Sequence, residues 1–126
     1  LDGGVADSVP IRHALKSGNA KIIVVLTRNP GYRKKPVSKG TAKLYRKAYK
    51  SYPKMAACAV HRNRMYNRTM ELVEKLEAEG RIYVIRPMVP TVSRLERDYD
   101  KLMSFYEHGY ALMKKEYANL LRYMEE

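Results

Sequence analysis

The sequence predicts an α/β protein, and three observations predict it. Residues 20–27 (Ala20-Lys21-Ile22-Ile23-Val24-Val25-Leu26-Thr27) form a continuous β-branched apolar run, the pattern of a strand covered on both faces in a parallel sheet. A second short apolar run, about 82–86, is stopped by Pro87 and Pro90. Helical periodicity fills the intervals, and this alternation argues for parallel strands layered with helices. The 126 residues are one domain's worth of chain or less, read as a single unit over 1–126.

Taken in order, Leu1-Asp2-Gly3-Gly4 reads as the turn after a strand, of which only Leu1 is present. The expectation is that the chain is the carboxyl-terminal portion of a larger protein. Ser8 followed by Pro10 predicts a helix start over about 10–17, closed by Gly18. The loop 28–39 is rich in Pro, Gly and positive charge. A short polar helix is predicted over 41–50 and a longer one from Pro53 to about Ala78, ended by Gly80. On the longer helix Cys58, among alanines, reads as a small buried hydrophobe. Ser93 and Glu96 have capping-box spacing. Beyond them Tyr99, Met103, Tyr106, Tyr110, Met113, Tyr117, Leu120 and Met124 recur in steps of four and three. That places one stripe on a helix of about 25 residues, which is expected to lie on the sheet or on a neighbouring helix.

No run of about 20 uncharged apolar residues is present. One cysteine excludes an internal disulfide framework and fits a reducing compartment. The net charge of +12 is concentrated in residues 1–65, with 15 Lys/Arg against 2 Asp. His13, His61 and His108 show no metal-ligand spacing, and no metal or organic cofactor is expected.

Ligands of open α/β sheets bind beyond the carboxyl ends of the strands. If the run 20–27 is parallel to a strand before Asp2, then Asp2 and the loop Arg28-Asn29-Pro30-Gly31-Tyr32-Arg33-Lys34-Lys35 share that edge. The segment Leu1-Asp2-Gly3-Gly4-Val5-Ala6-Asp7-Ser8-Val9-Pro10-Ile11 resembles the Asp-Gly-Gly/Ala block of patatin-like phospholipases. Ile22–Thr27 with Arg28–Pro36 is similar to the bacterial branch of that family. So is Arg86-Pro87 followed by Thr91–Asp98 and the Tyr106–Tyr110 part of the last helix. The resemblance covers nearly the whole chain.

The resemblance implies a three-layer α/β/α sandwich and a Ser–Asp dyad that hydrolyses acyl esters of lipids. Its aspartate falls on Asp2, which would accept the serine proton. Gly3 and Gly4 would let the backbone turn and keep space beside that carboxylate. The family's Gly-x-Ser-x-Gly turn and oxyanion loop have no counterpart in these 126 residues. The missing amino-terminal part of the protein is therefore the expected partner, and the chain alone is expected to be inactive. Arg33, Lys34 and Lys35 could meet a phosphate headgroup or an anionic membrane surface. A cytoplasmic protein, peripheral to membranes, is the expectation. The rival is a basic nucleic-acid-binding module, since Tyr45, Tyr49, Tyr52 and Tyr66 interleave with positive charge, although no recognised motif accompanies them. Self-association through the last helix or an exposed strand edge is a third reading.

Overall fold

The computed structural model describes residues 3–126; Leu1 and Asp2 lie outside the described residues. A 3-10 turn (Gly3–Val5) is followed by α1 (Ile11–Lys16), β1 (Ile23–Val25), α2 (Lys39–Ala48), α3 (Pro53–Ala78), β2 (Tyr83–Ile85) and α4 (Tyr99–Glu125). This is a mixed architecture of four helices and two parallel strands. The contacts divide it into two compact units. One holds the segment up to Asn19 with Arg33–Lys75; the other holds Ala20–Tyr32 with Leu76–Glu126.

In the first unit α1 starts one residue after its predicted start. Pro10 stands at the cap position and no side chain caps the helix. The Ser8 hydroxyl instead donates to the Gly4 carbonyl at 2.9 Å, back into the preceding turn. Gly18 adopts φ of 72° just beyond the helix, the left-handed conformation that glycine reaches without steric cost. α2 begins two residues before its predicted start because Ser38 caps it, its Oγ accepting from the Thr41 N–H at 3.1 Å. The buried apolar residues are Ile11, Ala42, Ala56, Ala59, Met70 and Val73. Cys58 corrects its sequence reading: the buried face of α3 runs through 56, 59, 70 and 73, so residue 58 turns outward and its thiol is exposed.

The second unit carries the sheet. Ile23 pairs with Tyr83, Val24 with Val84 and Val25 with Ile85, all parallel. The Tyr83 N–H donates to the Ile22 carbonyl at 3.0 Å and the Leu26 N–H to the Ile85 carbonyl at 2.8 Å. The chain between the strands includes α2 and α3, the helical crossover that a parallel pair needs. Only three residues of each predicted run pair. β1 also corrects the two-sided reading: Val24 is buried, but Ile23 and Val25 are 40% and 69% exposed.

α3 ends in a Schellman turn. The Arg81 N–H donates to the Leu76 carbonyl and the Gly80 N–H to the Glu77 carbonyl, both at 2.9 Å, with Gly80 at φ 68°. α4 starts later than the Ser93–Glu96 spacing suggests. Its cap is Asp98, whose carboxylate accepts from the N–H groups of Asp100 and Lys101. Glu96 accepts instead from the Arg97 and Asp98 N–H groups, and these bonds from Asp98 and Arg97 hold its carboxyl below the usual range.

The tyrosine stripe of α4 is not its packing face. Tyr99, Tyr106, Tyr110 and Tyr117 are all more than half exposed. The half-buried side chains are Met103, Phe105, His108, Leu112, Met113, Glu116, Leu120 and Tyr123. This face is centred about 100° around the helix from the exposed tyrosines and takes in Met113 and Leu120 at the edge of the stripe. Polar groups select it. Tyr83 donates to Glu116 at 2.6 Å, the Met88 N–H donates to His108 Nε2 at 3.2 Å, and the Tyr123 hydroxyl accepts from the Ile22 N–H at 3.1 Å.

Burial, together with its bond to Glu116, pushes the Tyr83 hydroxyl up to about 12 from 10.0. The raised value means that the protonated phenol is favoured in the folded state. Its stabilisation is complete below pH 10 and lost as pH rises through 12. In a spectrophotometric titration one of the 11 tyrosines should ionise last, near pH 12. Tyr83→Phe should remove that final step; a late step that survives the substitution would contradict the assignment. The Glu116 carboxyl is held low, mainly by the Tyr83 hydrogen bond and then by Asn119, so its contribution is present above its ordinary value of 4.5 and fades in more acid solution.

Candidate functional site

Gly3 and Gly4 begin the 3-10 turn, closed by Ala6 and Asp7 N–H bonds to the Gly3 carbonyl at 3.1 and 2.9 Å. The Asp7 Oδ1 accepts from the Val9 N–H at 3.3 Å. Asp2 itself lies outside the described residues. A Cβ added at Gly3 would meet nothing within 4 Å. Gly3→Ala should therefore change stability by no more than about 0.5 kcal/mol, read by thermal melting. A larger loss would mean that the turn itself requires glycine.

The basic loop is fastened to α3 within the first unit. The Arg33 guanidinium makes a two-pronged pair with Glu74, Nη1 to Oε1 at 3.0 Å and Nη2 to Oε2 at 2.7 Å. The hydrogen bond to Glu74 raises the Arg33 pKa above its ordinary value. Asn67 brackets residue 34, accepting from the Lys34 N–H at 2.8 Å and donating to its carbonyl at 3.0 Å. Asn63 donates to the Lys35 carbonyl at 2.8 Å. The Lys34 ammonium lies 4.1 Å from the centre of the Tyr66 ring. Lys35 is exposed, while Arg33 and Lys34 are half-buried. Sequence reasoning missed these anchors. The spacing of Asn63, Asn67 and Glu74 along one helical face was the signal that could have revealed them.

In the second unit the loops at the carboxyl ends of both strands meet. Asn29 Nδ2 donates to the Pro87 and Val89 carbonyls at 3.0 and 2.7 Å, and Arg28 donates to the Thr91 hydroxyl at 3.3 Å. Two segments far apart in sequence are thus joined at the edge where α/β proteins bind ligands. Arg86 also pairs with Glu77.

Among the described residues no cluster of three or more His, Cys, Asp or Glu could hold a metal ion. His13 and His61 are exposed. No helix is long and apolar enough to cross a membrane, within the described residues.

The described residues define a mixed α/β protein with a loop-built edge beyond two parallel strands. Residues 52–125 match the family described as a domain of unknown function (DUF6363). That match spans more than half of the chain, and the chain belongs to this family. No curated protein and no solved structure matches it.

Proposed function

We propose that this chain is the carboxyl-terminal portion of a patatin-like acyl hydrolase, contributing Asp2 to a Ser–Asp dyad within a three-layer α/β/α sandwich. The observation that supports this best is the meeting of Arg28-Asn29 with Pro87–Thr91 beyond the parallel strands. These segments overlap two of the three sequence blocks similar to that family, and their meeting beyond the strands supports the reading. The exposed Ile23 and Val25 offer an apolar face that the amino-terminal part of the same protein would cover, since parallel sheets are covered on both sides.

In the proposed reaction the serine oxygen attacks the ester carbonyl while its proton passes to the Asp2 carboxylate. The carbonyl oxygen becomes an oxyanion. As it collapses, the alkoxide leaves and takes the proton back from Asp2. Water then attacks the acyl-serine, giving its proton to Asp2, and the acid departs as the serine oxygen recovers a proton. Serine and oxyanion donors come from the amino-terminal part. Lys35, Lys34 and Arg33 would meet an anionic headgroup or a cytoplasmic membrane surface.

The test is hydrolysis of phospholipids and short-chain nitrophenyl esters by the intact protein and by this chain alone. Turnover by the first and none by the second is expected. Esterase activity in the isolated chain that depends on Asp2 would mean the nucleophile lies within it. No ester hydrolysis by the intact protein, with salt-sensitive micromolar binding of oligonucleotides, would favour the nucleic-acid reading.

A further inference from the structure

A small cavity of about 90 Å³ lies beside the Gly4–Val9 segment, within the first unit. Gly4, Asp7, Arg12, Arg62, Tyr66 and Thr69 contribute to its wall. Arg62 is the informative residue. Its Nε is shut off from solvent and meets no hydrogen-bond partner among the described residues. A guanidinium cannot shed its charge. A buried polar atom left without a partner on such a group is costly, and an ion or a water is one explanation for it.

The surroundings favour an anion over water alone. Among the described residues two arginines line the cavity against one carboxylate, Asp7, whose Oδ1 already accepts from Val9. Thr69, only 7% exposed, adds a hydroxyl that can donate or accept. The unit around the cavity carries 15 Lys/Arg against 4 Asp/Glu, a net of +11, whereas the other unit carries 10 against 9. That charge draws anions towards the first unit. Planar guanidinium groups match the paired oxygens of a phosphate. The volume suits a group of that size.

We propose that this cavity binds a phosphate group, with Arg62 and Arg12 as its principal partners. The phosphate could be free or could belong to a lipid headgroup. Gly4 belongs to the Gly3–Val5 turn, which follows Asp2 directly in sequence, so a headgroup held here would be bound by the segment next to the proposed dyad residue. Only that lipid source rests on the hydrolase reading.

The experiment uses the chain as it stands. Inorganic phosphate, titrated against sodium chloride of matched ionic strength, should raise the melting temperature and shift the amide resonances of the Gly4–Val9 segment. Arg62→Met should weaken phosphate binding about tenfold or more, because it removes charge-assisted hydrogen bonds. Arg12→Gln, at an exposed position, should weaken it as well and decides the matter if the Arg62 variant does not fold. Lys47→Gln, an exposed lysine of α2, should leave binding unchanged. Phosphatidylcholine vesicles with and without phosphatidic acid separate the two sources. Vesicle binding that needs phosphatidic acid, depends on Arg62 and is competed by phosphate identifies a lipid headgroup; phosphate binding without it identifies a free phosphate. A phosphate response no larger than that of chloride, or one unaltered by both arginine substitutions, overturns the proposal. Neither arm reads ester turnover, so failure here leaves the hydrolase reading standing.

Discussion

Replacing Asp2 with asparagine in the intact protein is expected to lower turnover of a short-chain nitrophenyl ester by about 10²- to 10⁴-fold. The reason is chemical. The carboxamide occupies nearly the same space but cannot take up a serine proton, so the hydroxyl must attack without a base. Because the proton moves in the transition state, the loss should fall on kcat more than on KM. The near-isosteric change should leave folding intact, and equal melting temperatures would show that the loss belongs to chemistry. The Gly3→Ala variant provides the companion measurement. Its side chain has open space in the folded turn, so any fall in its turnover would reflect room needed beside the carboxylate. Turnover unchanged in the asparagine variant would remove Asp2 from the mechanism.

Leu76→Ala is expected to cost about 3 kcal/mol of stability. Leu76 is 3% exposed, near the end of α3, in the unit where Ile22, Val24 and Ile82 are also buried. Truncation removes apolar contact and leaves a hole that the neighbouring backbone cannot easily close. The Schellman turn holds the Leu76 carbonyl and the chain reverses at once through Gly80. For a chain of this length that cost lowers the melting temperature by roughly 10 °C. Leu95, 81% exposed in the same unit, is the control, and Leu95→Ala should change stability by less than about 0.5 kcal/mol. Similar melting of the two variants would contradict the assignment of Leu76 to the core.

Several elements were legible because their signals are local. Gly18 and Gly80 end helices at the positions expected of them, both with positive φ. Pro53 opens α3, and Pro87 follows β2 closely. The β-branched run announced β1. Its length did not follow, because pairing stops where the partner strand stops, and β2 has three residues. The cap of α4 was misplaced for a related reason. Ser93 and Glu96 have the right spacing, but Asp98 offers its carboxylate to two N–H groups at once and wins. The stripe of α4 misled because tyrosine counts as apolar in a periodicity yet tolerates water through its hydroxyl.

At the candidate site the loop 28–35 was legible as basic and placed after a strand. Its partners were not, since Arg33 meets Glu74 and Asn29 meets Val89 across 41 and 60 residues. The buried, unpartnered Nε of Arg62 had no sequence signature, because arginine in a basic helix reads as a solvated charge.

By itself the sequence determined the order of helices and strands, the parallel character of the strand pair and the concentration of positive charge. These depend on residue type and spacing along the chain. Only the tertiary structure decided which face of α4 is covered, which basic side chains are tied down and where a cavity remains. Those outcomes depend on which polar groups find partners far along the chain, and spacing within one helix carries no record of a partner on another element.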